Sequence, residues 1–538
     1  MARRGMVVSQ ESAASLVGLD ILKRGGNAVD AAVAVGFALA VTLPRAGNLG
    51  GGGFMLIHLA GARKTVAIDY REQAPALTTK DVFLDDKGEP DRNKSLFSGL
   101  SIGVPGTVAG LELAWRKYGS GRFSFAELVA PAARLARQGL TVDDDLADSL
   151  PFAAATIARH PSSARIFLKA DKTLPRTGDH IALDDLATTL DAIAARGAAG
   201  FYLGPVAEKI VATVRAANGR MTLDDLAAYR AVEREPVRGT YRGHEIVSMP
   251  PPSSGGLLII EIADILEGFP LGEQGFNSAQ TIHEMAEAEK LAFADRSRFL
   301  GDPGAVRVPV AGLTSKKYAA RLRSRIAPDR AQAADEIGPG EPERYESDQT
   351  THFSIVDDKG NAVSNTYTLN IPYGCGIVAD GTGVLLNDEL DDFAAKASAP
   401  NVYGLTGGDA NDPGPGKRPV SSMSPTMVFK DGELELVTGG AGGSRIISIV
   451  LQIILDTIDH GLNVAEAEEA PRVHHQWRPD ELRIERGLSK DTIRLLEAKG
   501  QKVVLREPMG SAYSIARKDG VLTGASDPRH RGTLAVGY

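Results

Sequence analysis

A predicted β-hairpin around residue 360 constrains the fold of this chain more than any other feature of the sequence. Residues 351–356 and 361–369 are rich in β-branched and aromatic side chains, and the turn between them ends in Gly360. A three-residue loop over 358–360, with Gly360 in the left-handed conformation, pairs residue 357 with residue 361. The same register places Thr350 opposite Thr368, where opposed Cβ atoms lie about 5 Å apart and the two hydroxyl groups can hydrogen-bond. A slip of one residue would turn these groups to opposite faces of the sheet.

Thr350 follows a polar stretch of the chain. Residues 331–349 are polar and interrupted by Pro and Gly, which is typical of an exposed segment. The segment ends at Gln349, and the β-rich stretch then begins with Thr350 and Thr351. A pair of threonines at the start of a strand is ordinary, so this local pattern alone leaves its function open.

Composition and charge limit the classes of protein to consider. The 538 residues are 43% hydrophobic and 24% charged, which describes a soluble globular protein with enough apolar residues for a large core. The net charge of -8, without long basic runs, argues against a general binder of nucleic acids or membrane surfaces. The single cysteine, Cys375, cannot form an internal disulfide and is predicted to be a buried apolar residue. Chemistry on small molecules is therefore the better expectation.

Two stretches were compared with targeting and membrane segments. Residues 1–8 contain two arginines but no apolar stretch of the length that a signal peptide needs. Either export does not occur, or its signal is missing from this chain. Residues 28–43 contain Asp30 and fall short of the ~20 apolar residues that span a bilayer. They predict a buried helix.

The remaining patterns predict a mixed α/β protein. Apolar residues with helical spacing predict a helix over 11–23, and Asn27 can cap a second, Ala-rich helix. A glycine-rich turn leads into a predicted buried strand over 55–59. Either Asn277 or Ser278 caps a long helix that reaches about residue 300.

Three short motifs have both a chemical and a structural interpretation. Residues 99–103 match the G-x-S-x-G pattern of a nucleophile elbow, but the flanking sequence favours an ordinary turn. His474 and His475 are adjacent, without the spacing of a zinc site, and a structural role is favoured. The glycines of 439–443 either form an oxyanion hole or make a tight turn before a helix over 446–458.

A series of motifs distributed along the whole chain, in order, closely resembles the γ-glutamyltranspeptidase family, which belongs to the N-terminal-nucleophile hydrolases. The resemblance runs from about residue 5 to residue 538, and the joint match is highly specific. The motifs are Asp69-Tyr70-Arg71-Glu72, Pro105-Gly106-Thr107-Val108-Ala109-Gly110, Met249-Pro250-Pro251-Pro252-Ser253-Ser254-Gly255-Gly256, Thr350-Thr351-His352, Leu386-Asn387-Asp388-Glu389-Leu390-Asp391-Asp392-Phe393, Arg418-Pro419-Val420-Ser421-Ser422-Met423-Ser424-Pro425 and Gly442-Gly443-Ser444-Arg445.

The resemblance implies a fold and a maturation step. The expected fold is the four-layer αββα sandwich of the N-terminal-nucleophile hydrolases, an α/β (α+β) architecture. The expected autocleavage lies between Gln349 and Thr350, where the Thr350 hydroxyl attacks the Gln349 carbonyl and water opens the resulting ester. Residues 1–349 would form a large subunit and residues 350–538 a small catalytic subunit, and both would interleave into one structural domain.

The resemblance also implies catalytic roles for four residues. Thr350 would be the nucleophile, and its freed α-amine, with a reference pKa of about 7.7 to 8.0, would be the base. Thr368 matches the second threonine of the family, whose hydroxyl supports the nucleophile. Gly442 and Gly443 would supply the oxyanion hole, where one lost donor typically costs about 2.7 to 4 kcal/mol of barrier stabilisation.

Further positions match the residues that bind a γ-glutamyl donor, which carries both an α-carboxylate and an α-ammonium group. Arg71, Ser421 and Ser422 match the contacts to the carboxylate, because a guanidinium group can bind a carboxylate through two parallel hydrogen bonds. The expected ligands of the ammonium group are Asn370, Glu389 and Asp392. Tyr403 lies in a segment, 397–408, that resembles the lid loop of some family members.

The activity implied by the resemblance is transfer of a γ-glutamyl group from glutathione and similar γ-glutamyl compounds to water or to amino-acid and peptide acceptors. It implies no metal and no organic cofactor, and neither nucleic acid nor membrane insertion is expected. Family members are typically exported, so a periplasmic or secreted location is expected. Two alternatives remain. A glutaryl or cephalosporin acylase is disfavoured by Asp392, and a non-catalytic binding relative is disfavoured by Thr350, Thr368 and the glycine pair.

Overall fold

The computed structural model describes residues 1–342, 354–397 and 399–538. The helices of this part of the chain, numbered in chain order, are α1 Ser12–Lys23, α2 Ala28–Thr42, α3 Arg92–Leu96, α4 Thr107–Tyr118, α5 Phe125–Gln138, α6 Asp144–Ile157, α7 Pro161–Phe167, α8 Asp184–Arg196, α9 Ala199–Tyr202, α10 Pro205–Ala216, α11 Leu223–Ala228, α12 Gly255–Leu266, α13 Leu271–Gln274, α14 Ala279–Phe299, α15 Val310–Leu313, α16 Lys316–Arg323, α17 Ile446–Ile458, α18 Val464–Glu469 and α19 Lys490–Ala498.

The strands, numbered in the same way, are β1 Met6–Ser9, β2 Gly52–Leu59, β3 Lys64–Tyr70, β4 Leu140–Thr141, β5 His180–Ile181, β6 Val232–Arg234, β7 Val237–Tyr241, β8 His244–Ser248, β9 Ile355–Val356, β10 Ala362–Thr368, β11 Val378–Ala379, β12 Val384–Leu385, β13 Thr426–Lys430, β14 Glu433–Thr438, β15 Gly440–Ala441, β16 Val473–His474, β17 Leu482–Ile484, β18 Val503–Leu505, β19 Ser511–Lys518, β20 Val521–Ser526 and β21 Leu534–Gly537.

Two large sheets form the centre of the fold. The first sheet has the order β21-β1-β9-β10-β2-β3-β6, and the second has the order β15-β19-β14-β13-β8-β7, with β20 paired to β19. Both sheets contain strands from either side of residue 350. The two parts of the chain therefore share each sheet.

The side chains of the first sheet alternate between two hydrophobic cores, as expected for a strand with both faces buried. On β2, Met55 and Ile57 enter the core that contains α1, α2, α4 and α5. Phe54 and Leu56 point the other way, into the core shared with the second sheet and with α12, α14 and α17. The ring of His58 lies 4.9 Å from that of Phe429 on the second sheet. Helices, two stacked sheets and further helices thus form four layers, which confirms the predicted αββα sandwich.

The register of the central hairpin agrees with the sequence prediction. Val356 lies opposite Ala362, and Ile355 lies opposite Val363. The Asp357 N–H donates to the carbonyl of Asn361 over 2.9 Å, and Gly360 has a φ of +81°. The extension of this register to Thr350 lies outside the described residues.

Other local predictions can be compared directly. Asn27 caps α2 with a capping box, and residues 28–41 are buried. Ser278, and not Asn277, caps the long helix α14. Cys375 is buried, and burial raises the pKa of its thiol. Within the described residues, every helix is too short or too polar to cross a membrane.

Candidate active site

A cavity of about 260 Å³ opens where the ends of β10 and β15 meet. Most of the site residues expected from the sequence lie on its wall: Thr368, Asn370, Glu389, Asp392, Tyr403, Ser421, Ser422, Gly442 and Gly443. Arg71 is fully enclosed behind this wall and contacts two of its carboxylates. Gln349 and Thr350 lie outside the described residues. The fold therefore gathers into one cavity residues that are far apart in the sequence.

Thr368 is the last residue of β10, opposite Gly52 on β2. Its carbonyl accepts a hydrogen bond of 2.9 Å from Asn48 Nδ2, and its Oγ1 accepts one of 2.9 Å from the Asn370 N–H. Asn370 has a φ of +83°, a left-handed conformation that Asn tolerates better than most residues. The strand end is thus fixed on two sides, with the Thr368 side chain at the cavity.

Gly442 and Gly443 follow β15 and precede α17. No described residue accepts a hydrogen bond from either glycine N–H group, although both residues line the cavity. Gly443 has a φ of +62°, and a Cβ atom there would overlap the ring of Tyr403. The segment is therefore a tight turn at the cavity, and the two N–H groups have no acceptor among the described residues. An oxyanion-hole role for them stays a prediction.

Arg71 is surrounded by carboxylates. Its Nη1 donates to Glu389 Oε1, its Nη2 donates to Asp392 Oδ2 over 2.7 Å, and Glu72 lies 3.7 Å away. Its Nε donates to the carbonyl of Pro419 over 3.1 Å. We call Arg71 and its partners Glu72, Glu389 and Asp392 the Arg71 clamp. This clamp joins the end of β3 to the segments that carry the other donor-site residues, because a guanidinium group presents its donors in a fixed fork.

The electrostatics of this clamp differ from those of an ordinary ion pair, since three carboxylates share one cation. Burial disfavours the charged form of Arg71, but Glu389, Asp392 and Glu72 outweigh it and raise the pKa of the guanidinium. Burial raises the pKa of Glu389 to about 7 despite the opposing effect of Arg71. Burial and Glu389 also raise the pKa of Glu72. The Oε2 atom of Glu389 is buried and accepts no hydrogen bond from any described residue.

Ser421 and Ser422 form a further part of the cavity wall. The Ser421 N–H donates to Pro252 over 2.9 Å, and its Oγ accepts from the Met423 N–H over 3.2 Å. Ser422 Oγ accepts a hydrogen bond of 3.4 Å from Arg296 Nη2. Burial lowers the pKa of Arg296 to about 10, and no described carboxylate forms an ion pair with it. This side of the cavity therefore offers hydroxyl groups and positive charge.

Tyr403 covers the glycine turn. Its hydroxyl donates to the carbonyl of Asn370 over 2.6 Å, and its N–H donates to Asn401 Oδ1 over 3.0 Å. Asn401 Nδ2 also donates to Asp392 Oδ1 over 2.8 Å. The segment predicted to be a lid is thus connected to both the Thr368 strand end and the donor-site carboxylate.

Some residues at the site were missed by the sequence reasoning. Glu72 adjoins Arg71 in one of the motifs that carry the family resemblance, but the sequence analysis predicted no role for it. Arg296 lies on α14 within a run of buried residues, and no pattern distinguishes it. Asn401 belongs to the predicted lid, but its contact with Asp392 depends on how the chain folds back.

The other motifs do not form sites. Ser101 is buried in a 3₁₀ turn, and its hydroxyl donates to the carbonyl of Ser98 over 2.7 Å, as expected of an ordinary turn. His474 is buried, with its Nδ1 at 2.7 Å from Ser448 Oγ. His475 is also buried, and its N–H donates to Glu289. In the described part of the chain, no group of three or more His, Cys, Asp or Glu residues is arranged to hold a metal ion.

Comparison with known proteins identifies the family of the chain. A family model described as gamma-glutamyltranspeptidase matches residues 14–537. The chain is 56% identical to the glutathione hydrolase proenzyme of Escherichia coli (strain K12), over 100% of this chain and 92% of that protein.

Two solved structures are also similar. The cephalosporin acylase from Bacillus halodurans superposes with a TM-score of 0.87 at 27% identity, over 100% of this chain and 96% of that one. A chain of the Helicobacter pylori gamma-glutamyltranspeptidase superposes with a TM-score of 0.62 at 42% identity, over 64% of this chain and 99% of that one. Because the family model spans nearly the whole sequence, the chain belongs to the γ-glutamyltranspeptidase family.

Proposed function

We propose that this chain is a glutathione hydrolase and γ-glutamyl transferase that uses Thr350 as its nucleophile. One observation supports the donor most strongly. Glu389 lines the cavity beside Asp392, and its Oε2 atom is buried and has no hydrogen-bond donor among the described residues. A buried carboxylate oxygen without a partner is unfavourable by about 1–3 kcal/mol or more, and the α-ammonium group of a γ-glutamyl donor would satisfy it.

The charges of the cavity suit a zwitterion. Asp392 and Glu389 would hold the ammonium group, and Ser421 and Ser422 would donate to the α-carboxylate. Arg71 is enclosed and paired with Glu389 and Asp392, so it would act on the α-carboxylate through its positive charge and not through direct hydrogen bonds. A zwitterion can present its ammonium group to the carboxylates and its carboxylate to the serines beside Arg296, so each of its charges meets a suitable partner. Asn370 would contribute to the ammonium side from the end of β10.

The same geometry suggests where the reaction takes place. With the α-groups held at the carboxylates and serines, the γ-carbonyl would reach the N–H groups of Gly442 and Gly443. The Thr350 hydroxyl would attack this carbonyl after transferring its proton to the Thr350 α-amine, and Thr368 would position the nucleophile. The C–N bond breaks, and the amine leaves with a proton. Water or an acceptor amine then attacks the γ-glutamyl ester, the C–O bond to Thr350 breaks, and a proton returns to the Thr350 hydroxyl.

Maturation is part of the proposal. Cleavage between Gln349 and Thr350 would free the α-amine and yield a large subunit, 1–349, and a small subunit, 350–538. The shared sheets support their association as one structural domain, because separation would break both sheets. Tyr403 would act as a lid residue, amino acids and peptides would be the acceptors, and the location would be periplasmic or secreted.

An acylase acting on glutaryl side chains is the alternative, since the similar Bacillus halodurans structure is a cephalosporin acylase. A glutaryl group carries no α-ammonium, so it would leave Glu389 and Asp392 without their ligand. The test is to incubate the purified protein separately with glutathione and with a glutaryl amide, and to quantify released glutamate and glutarate by chromatography. Faster turnover of glutathione is expected, and turnover of the glutaryl amide alone would refute the proposed donor.

A further inference from the structure

Gln476 lies between two loops that face the active-site cavity. It is 3% exposed and follows β16. One loop carries Tyr403, and the other carries Gly442 and Gly443 and continues into Ser444. Gln476 itself does not line the cavity, so its effect on the reaction would be indirect.

The side-chain amide of Gln476 uses its full hydrogen-bonding capacity. Its Nε2 donates to the carbonyls of Tyr403 and Arg478, each over 3.1 Å. Its Oε1 accepts from Ser444 Oγ over 2.8 Å and from His474 Nε2 over 2.9 Å. Both partners of Nε2 are carbonyl oxygens, which can only accept, so the orientation of the amide is determined by its surroundings.

The histidine beneath this amide has one compatible protonation state. Because Gln476 Oε1 can only accept, the proton of His474 lies on Nε2, and Nδ1 accepts from Ser448 Oγ over 2.7 Å. Burial lowers the pKa of His474 to about 3, so the ring is neutral near neutral pH. Each hydrogen bond from Gln476 to His474, Ser444 and Tyr403 therefore has one possible donor and one acceptor. Ser444 and Tyr403 belong to the two loops.

We propose that Gln476 is a positioning residue that holds the Tyr403 loop against the glycine turn of the oxyanion hole. Ser444 directly follows Gly443, and the ring of Tyr403 lies against Gly443. One amide group thus fixes both the backbone beside the oxyanion-hole donors and the backbone of the loop that covers them. This inference rests on the proposed function, because it assigns the two loops their roles in acyl transfer.

Two measurable effects follow from loosening this connection. Misplaced N–H groups would stabilise the oxyanion less well, which lowers kcat. Asp392 loses at most its contact with Asn401 and stays held by Arg71, so KM would change less than kcat. A loosened Tyr403 loop would also admit water to the acyl-enzyme, so a smaller fraction of the γ-glutamyl group would reach an acceptor amine.

The test uses Gln476→Met, which keeps the length of the side chain and removes its hydrogen bonds. Gln452→Met is the matched control. Gln452 is 7% exposed and donates to the carbonyls of Ser448 and Val473 over 2.7 and 2.9 Å, and among the described residues it has no hydrogen bond to either loop. Each full-length protein is assayed with a chromogenic γ-glutamyl anilide, with and without glycylglycine, and free glutamate and γ-glutamyl-glycylglycine are quantified.

For Gln476→Met we expect kcat to fall about tenfold, KM to change by less than about twofold, and the transferred fraction to fall about threefold. Gln452→Met should keep the transferred fraction of the wild type. Equal transferred fractions and equal kcat in the two variants would overturn the inference.

A second variant decides if Gln476→Met does not fold. Ser444→Ala removes only the hydrogen bond from the glycine turn to Gln476: a lowered kcat supports the inference, and a wild-type kcat refutes it. A wild-type protein that releases no glutamate would instead refute the proposed function.

Discussion

Replacement of Asp392 by Asn should lower kcat/KM for γ-glutamyl donors and leave kcat/KM for glutaryl donors nearly unchanged. The substitution preserves the size of the side chain and removes its charge. In the structure, Asp392 Oδ2 accepts from Arg71 over 2.7 Å and Oδ1 accepts from Asn401 over 2.8 Å, so its carboxylate is fixed at the cavity. Its 11% exposed side chain leaves it accessible to a bound ammonium group.

The expected magnitude follows from the hydrogen bond that is lost. A hydrogen bond to a charged group contributes about 1.5–3 kcal/mol, which corresponds to about 10- to 150-fold in kcat/KM. Glu389 still faces the ammonium group, so the loss should lie within this range and activity should not be abolished. A glutaryl substrate has no ammonium group, and its kcat/KM should change by less than about threefold.

The assay compares γ-glutamyl and glutaryl anilides on the wild type, on Asp392→Asn and on a matched control, Asp391→Asn. Asp391 belongs to the same 3₁₀ turn and is also buried, but it does not line the cavity: its carboxylate accepts from Ser95 Oγ over 2.6 Å and from the Val402 N–H over 2.9 Å. The control should therefore affect both substrates equally. Equal losses on both substrates for Asp392→Asn would refute the assignment of this carboxylate to the ammonium group.

Three further outcomes are expected. Thr350→Ala should abolish both chain cleavage on a denaturing gel and glutamate release; a cleaved or active variant would contradict the mechanism. Burial raises the pKa of Glu389 to about 7, so its carboxylate is charged above that pH and loses its charge as the pH falls through it. The KM for a γ-glutamyl donor should therefore rise below about pH 7, and Glu389→Gln should remove this pH dependence. The same pH dependence in the variant would contradict the role of the Glu389 carboxylate in donor binding. Gly443→Ala should lower kcat by about 10²–10³ because the added Cβ meets Tyr403 and displaces an oxyanion-hole donor. Gly432→Ala, at a φ of +80° with open space around it, is the control for backbone strain alone and should retain wild-type kcat.

The features that the sequence predicted well are those governed by local chemistry. The hairpin register followed from the turn at Gly360, and the cap of α2 followed from Asn27, because each depends on residues only a few positions apart. The choice between Asn277 and Ser278 could not be made locally. Asn277 takes a φ of +49° outside the helix, while the Ser278 side chain accepts the capping hydrogen bond.

The candidate site required a different kind of information. Arg71 and Glu389 are 318 positions apart, and no periodicity indicates that they touch. Their joint assignment to the donor site came from the family resemblance, which places whole motifs at once. The resemblance did not provide the pairing of Arg71 with both carboxylates. Nor did it show that Oε2 of Glu389 has no donor among the described residues, because both features depend on side-chain packing between distant segments.

The central claim is that cleavage before Thr350 creates the catalytic residue. The most direct measurement is N-terminal sequencing of the smaller fragment from a preparation that releases glutamate from glutathione, followed by mass spectrometry of that fragment after brief exposure to a γ-glutamyl donor. The account predicts a fragment that begins Thr350-Thr351-His352 and carries the γ-glutamyl group on Thr350. A fragment that begins at another residue, or an acyl group on another side chain, would contradict it.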